Sequence, residues 1–131
     1  MRLIAVIVIV IIAFSATMEH VAHSQQQPKR YAFMGAGVSS CAQFGDDYRR
    51  NPTDFESLYF AWAQGMLSGL NARLLFSNND TNLAWWDSAQ QEQHIRSFCS
   101  NHPLSSYAEA VFDLFDAMRQ EQGLPNWRNL K

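Results

Sequence analysis

The longest helical pattern in the chain runs from Thr53 to about Phe76, and its middle, Ala61-Trp62-Ala63-Gln64-Gly65-Met66-Leu67-Ser68-Gly69-Leu70-Asn71, limits the fold more than any other stretch. Ala61, Gly65 and Gly69 recur at every fourth position, so they share one helix face on which another backbone could approach closely. A glycine inside a helix costs about 1 kcal/mol against alanine, a penalty that close packing has to offset. The pattern therefore predicts a central helix whose Ala61/Gly65/Gly69 face packs against a neighbour. Phe55, Leu58, Trp62 and either Met66 or Leu70 form an apolar stripe beside it.

The remaining signals are also helical. Ser39 or Ser40 can cap a short helix ending near Arg50, with Cys41, Phe44 and Tyr48 on its inner side and Asn51-Pro52 as its stop. Thr53 and Glu56 have the spacing of a capping box for the central helix. Ser77 to Asn82 is a turn cluster. Leu83 to Phe98 resumes a helical pattern, whose main part Asp87 and Gln90 can cap, and His102-Pro103 stops it. Ser106 and Glu109 form another capping box, before a helix carrying Tyr107, Val111, Leu114, Phe115 and Met118 and closed by Gly123, Leu124 and Pro125. No strand-like alternation competes with this reading. The expected fold class is all-α, a compact bundle of four to five helices.

The N-terminus has the features of an export signal. Arg2 precedes an unbroken apolar run from Leu3 to Phe14, too short to span a bilayer, and Ala22-His23-Ser24 offers a cleavage site after Ser24, with Ser15 to Thr17 as the second choice. The expected organisation is a signal peptide over 1–24, a tail over 25–34, a helical domain over 35–123 and a short flexible tail over 124–131. The two cysteines, Cys41 and Cys99, read in an exported chain as one disulfide. A formal net charge of −2 without a Lys/Arg cluster argues against nucleic acid and against an anionic membrane surface. No stable membrane insertion is expected once the signal is removed.

Chemical motifs are sparse. Cys41, Cys99 and His102 lack a fourth metal ligand at a usual spacing. Asn78, Asp80 and Asn82 match the opening of a calcium loop, but Leu83 and Ala89 occupy the positions of its glycine and its closing glutamate. Asn79-Asp80-Thr81 is a glycosylation sequon, relevant only in a eukaryotic source. A small hydrolase would draw on His94, His102, Glu92 and Ser97, yet no nucleophile elbow or zinc motif accompanies them, and Glu92 and His94 sit on different helix faces. No catalytic residue, metal or cofactor is assigned. Trp85 and Trp86, adjacent aromatics, point about 100° apart on a helix and cannot share a narrow seam, so one of them is expected at a surface that a partner could use.

The landmarks Gly35-Ala36-Gly37, Ser40-Cys41, Trp62-Ala63-Gln64-Gly65 with Ser68-Gly69 and Asn71, Phe98-Cys99 with Asn101-His102-Pro103-Leu104, and Ala108 to Ala110 follow in an order that resembles small exported bacterial proteins sharing a plan with the acid-stress chaperone HdeA and the Rap1a/Tai immunity proteins. The resemblance covers about Gly35 to Arg119. It implies a periplasmic helical bundle with Cys41 joined to Cys99 and no enzymatic activity. Two functions follow as expectations. One is an immunity-type or inhibitor-type protein binder using an apolar helical surface; the other is an acid-responsive chaperone, dimeric at neutral pH. The segment between Gly69 and Cys99 is longer here than the chaperone plan implies. The identity of the partner or client, and whether the chain forms a homodimer, stay open at this level.

Overall fold

The computed structural model describes residues 33–130. The expected signal peptide, 1–24, and residues 25–32 of the expected tail lie outside the described residues. Four helices form the domain: α1 (Cys41–Arg50), α2 (Pro52–Leu75), α3 (Ser88–Asn101) and α4 (Tyr107–Glu121), with 3-10 turns at Gly35–Val38 and Trp127–Asn129. Among the described residues there is no strand, and Cys41 and Cys99 are joined by a disulfide.

The helix starts follow local chemistry. The Ser40 hydroxyl accepts from the Gln43 amide and caps α1. The Asp87/Gln90 and Ser106/Glu109 capping boxes are both complete and start α3 and α4. At α2 the expectation is corrected. Its cap is Asn51, whose side chain accepts from the Asp54 amide, and Pro52 takes the first helical position, where a missing N–H costs nothing. Asn51 thus both ends α1 and starts α2. Glu56, freed from capping, pairs with Arg96 of α3 instead.

Packing places α4 at the centre. Eight of its residues are buried, Tyr107, Ala108, Ala110, Val111, Leu114, Phe115, Met118 and Arg119, whereas the much longer α2 buries only Tyr59, Ala63, Leu67 and Leu74. Leu58, expected inside, is 61% exposed. The buried seam of α2 is rotated by about one residue from the expected stripe, because Tyr59 enters the core against Phe44 and Tyr107, with ring centroids 5.0 and 4.8 Å away. Its hydroxyl reaches Asp47, which compensates burial of the polar tip.

The disulfide joins the first residue of α1 to α3 near its end, with Cα atoms 4.7 Å apart. A short antiparallel backbone pairing reinforces that corner: Cys41 N–H donates to Ser105 O (2.8 Å) and Tyr107 N–H to Ser39 O (2.8 Å). Both ends of the described chain pack more closely than expected. Phe33 lies edge-on to Trp62 and Phe112, so the fold begins within the expected N-terminal tail. Trp127 and Leu130 pack against the core, so the expected flexible C-terminal tail is part of the domain.

Glycine matters most before α1. Gly35 has φ +69, and a Cβ at Gly37 would lie 2.1 Å from the Trp62 ring. Trp62 lies across that turn and its indole N–H donates to Met34 O at 2.8 Å. Gly37→Ala is therefore expected to destabilise the domain by about 2 kcal/mol or more through overpacking, measured by urea unfolding. An unchanged midpoint would mean that Trp62 moves aside freely.

Candidate interaction surface

Among the described residues, nothing packs closely on the small-residue face of α2. Ala61, Gly65 and Gly69 are all exposed, and a Cβ added at Gly65 or Gly69 would meet nothing within 4 Å. This corrects the expected internal packing role. The physical reason is the rotation of α2: with Tyr59, Ala63, Leu67 and Leu74 turned inward, the face carrying Gly65 turns outward. Leu58, Ala61, Gly65, Gly69, Ala72 and the C-cap residue Phe76, which is 90% exposed, line that outer side. Successive members are three or four residues apart, the spacing of one helix face. Because neither glycine relieves a clash among the described residues, Gly65→Ala is expected to raise the unfolding free energy by about 0.5–1 kcal/mol, measured by denaturant melts on dilute protein.

The landmark residues on the other sides of α2 have internal roles that the sequence did not reveal. Gln64 Nε2 donates to Gln91 Oε1 (2.7 Å), and Gln91 in turn donates to the carbonyls of Leu83 and Trp86 (2.9 and 2.8 Å). Asn71 grips the Thr81 backbone from both directions, at 2.9 and 2.6 Å. These amides hold the 76–87 connection in place, together with the packing of Leu83 and Trp86 against the core.

Trp85 and Trp86 lie in that connection rather than on a helix, since α3 begins only at Ser88. Both indole N–H groups donate to Glu121 Oε2, at 3.1 and 2.8 Å. Trp86 packs partly against the core and beside His94, whereas Trp85 remains 51% exposed. One tryptophan is thus at the surface, but the pair is tied to α4.

Arg119 was not anticipated. It is 1% exposed, and among the described residues it has no carboxylate in an ion pair with it. Its guanidinium donates to Pro125 O (3.1 and 2.8 Å), Asn79 O (2.7 Å) and Thr81 Oγ1 (2.7 Å). Burial lowers its pKa, with Asp116 and Asp80 pushing back. An arginine in water still holds its proton across the biological range. The segment that resembles a calcium loop therefore directs two of its oxygens at a guanidinium. Only its place in a helical period marked Arg119 in the sequence, one residue after Met118.

A second buried polar group is Asp47, which accepts from Tyr59 Oη (2.9 Å), Gln43 Nε2 (2.9 Å) and Arg50. Burial by itself would raise its pKa, but these hydrogen bonds and the Arg50 charge outweigh it and hold the carboxyl below its ordinary value of 3.8. Burial raises the pKa of Tyr59. A carboxylate with a depressed folded-state pKa adds stability above its unfolded value, and that contribution is lost as pH falls through the folded value. Asp47→Asn should accordingly lower stability at pH 7 and shrink the difference between pH 7 and pH 3, as read from melting temperatures. An undiminished difference would place the acid sensitivity elsewhere.

Of the residues of the hydrolase reading, His94 and Ser97 share a cleft, and Glu92 and His102 lie outside it. His94 bonds Asp113 at 2.8 Å and shares a shallow cleft with Ser97, Trp86 and Glu121. His102 stacks on Phe98, and Glu92 lies 4.0 Å from Arg96. A cleft of about 360 Å³ beside the disulfide contains Arg49 and Arg96, each already paired with a carboxylate. Among the described helices none is long and apolar enough to cross a membrane. No protein-family model, curated protein or solved structure matches the chain.

Proposed function

We propose that the chain is an exported, non-enzymatic protein-binding domain that works through the outer face of α2. One observation carries this reading: Leu58, Ala61, Gly65, Gly69, Ala72 and Phe76 are exposed along one side of a helix whose other side is already buried. The outward face of a surface helix is ordinarily polar, and a contiguous apolar strip on a small domain marks an interaction site. The glycines support the same reading, because they carry a helix penalty with no return among the described residues. The Cys41–Cys99 disulfide supports an oxidising compartment outside the cytosol.

A photo-crosslinking residue at exposed Ser68, beside the strip, is expected to yield a discrete protein adduct in the native compartment. The same residue at exposed Ser100 on α3 is the control. Adducts from both positions alike, or from neither, would remove the reading.

The buried Asp47 network favours a second reading, an acid-responsive chaperone, since acid would uncouple α1 from α2. Suppression of client aggregation at low pH, accompanied by uptake of an apolar dye, would support it. Failure to protect a client would eliminate it.

A further inference from the structure

One face of α3 carries polar groups that the fold leaves unused. Gln90, Gln93, His94 and Ser97 recur at three- and four-residue spacing, so they share that face, and with Trp86 and Glu121 they line a shallow cleft of about 400 Å³. Gln90 Oε1 accepts from the Asp87 amide (3.0 Å), Gln93 Oε1 accepts from Arg96 (3.1 Å), and His94 Nε2 bonds Asp113 (2.8 Å). Among the described residues the two carboxamide NH2 groups, His94 Nδ1, Ser97 Oγ and Glu121 Oε1 have no hydrogen-bond partner. The aromatic part of the site is held still. Trp86 sits beside His94, with ring centroids 5.3 Å apart, and donates to Glu121 Oε2. The exposed Trp85 is anchored at both ends, its backbone N–H to Asn82 O (3.1 Å) and its indole N–H to the same Glu121 oxygen (3.1 Å). Fixing an exposed ring costs rotamer freedom during folding, and a ligand that stacks on it then avoids that cost.

From this arrangement we propose a carbohydrate-binding site, in which a neutral pyranose stacks on Trp85 and sets its hydroxyls against the α3 face and Glu121. A pyranose combines an apolar C–H face with a rim of hydroxyls that each donate and accept. The indole supplies the flat apolar surface, the carboxamides donate, the carboxylate accepts and the serine does either. Among the described residues no lysine or arginine lines the cleft, and Arg96, which donates to Gln93, is paired with Glu56. With Glu121 in the cleft and Asp113 against His94, a phosphorylated or carboxylated ligand would be repelled. An organic cation would use the rings and the acceptors but leave the Gln90 and Gln93 donors unmatched. The site is built on α3, α4 and the 76–87 connection, so it goes beyond the α2 reading and does not rest on it.

The test is titration of the purified, oxidised, ¹⁵N-labelled chain, followed by its amide and indole N–H resonances, with chitotriose, cellotriose and maltotriose in separate experiments and with choline in a further one. At least one trisaccharide is expected to bind saturably, with a Kd of about 1 mM or tighter. The shifts should centre on the Trp85 and Trp86 indoles and on the amides of Gln90, Gln93, His94 and Ser97, and leave the Trp62 and Trp127 indoles in place. Trp85→Ala should weaken binding at least about tenfold, and Gln93→Ala by about two- to tenfold. Both positions are exposed, so each variant should keep the wild-type melting temperature. Leu104→Ala, on a residue 95% exposed outside the cleft, should bind like wild type. No saturable shift with any of the trisaccharides would overturn the proposal. Shifts centred elsewhere, or binding indifferent to both Trp85→Ala and Gln93→Ala, would do the same. Choline moving these resonances where no trisaccharide does would replace the carbohydrate with an organic cation.

Discussion

Arg119→Met is expected to lower the unfolding free energy by about 3 kcal/mol, although methionine fits a core and preserves helix propensity. The guanidinium satisfies Asn79 O, Thr81 Oγ1 and Pro125 O from one position in the last turn of α4. Without it these acceptors lose their donor; for the buried Thr81 Oγ1 that costs about 1–3 kcal/mol, and the part-buried carbonyls of Asn79 and Pro125 add less. Thr81 is itself buried, so water reaches it poorly. Arg119→Lys is expected to recover only a minor part, because a single ammonium cannot span acceptors on both the 76–87 connection and the segment after α4. Urea unfolding gives the magnitude. Hydrogen exchange gives the location, with faster exchange at Thr81, whose amide is held by Asn71, and around Trp127. A loss below 1 kcal/mol, or exchange unchanged in both segments, would refute the role of Arg119 as the tie between them.

Removing the disulfide should cost more. With a sequence separation of 58 between Cys41 and Cys99, the chain-entropy account gives about 4 kcal/mol for Cys41→Ala with Cys99→Ala. Marginal domains have about 5–15 kcal/mol in total, so a large fraction of the stability of a domain this small is at stake. The expected readout is a fall in melting temperature of tens of degrees, or a chain partly unfolded at 37 °C, matched by wild type in reductant. The backbone pairing of 39–42 with 103–107 persists without the bond, which should let the native fold survive at low temperature. A reduced protein melting within a few degrees of the oxidised one would show that the pairing and α4 packing suffice. The two perturbations act on distant parts of the fold, so their effects should add.

Features encoded within a few residues were legible in advance. Ser40, Asp87 with Gln90, and Ser106 with Glu109 start their helices as their spacing implies, because capping chemistry is complete within one turn of chain. Gly123 ends α4 in the left-handed conformation for the same local reason. Thr53 with Glu56 satisfied the capping pattern equally well and was displaced, since Asn51-Pro52 offered a competing start and Arg96 a distant partner for Glu56.

Which side of α2 faces inward was a different kind of question. That helix is apolar on nearly every side, so the 3.6-residue period does not single out a buried face, and Phe55, Leu58, Trp62 and Met66 fit as well as Tyr59, Ala63, Leu67 and Leu74. The choice came from outside the helix: Phe44, Tyr107 and Asp47 accept Tyr59, and Gly37 leaves room for Trp62. The outward exposure of Gly65 and Gly69, and the surface argument built on it, follow from that rotation. Arg119 and Gln91 were hidden for a related reason, since a polar residue is safe in a core only when acceptors from remote segments converge on it. The sequence by itself determined the class, the helices and the pairing of its two cysteines. Tertiary structure decided the rotation of α2 and the partners of buried polar groups, because both depend on contacts between residues far apart in the chain.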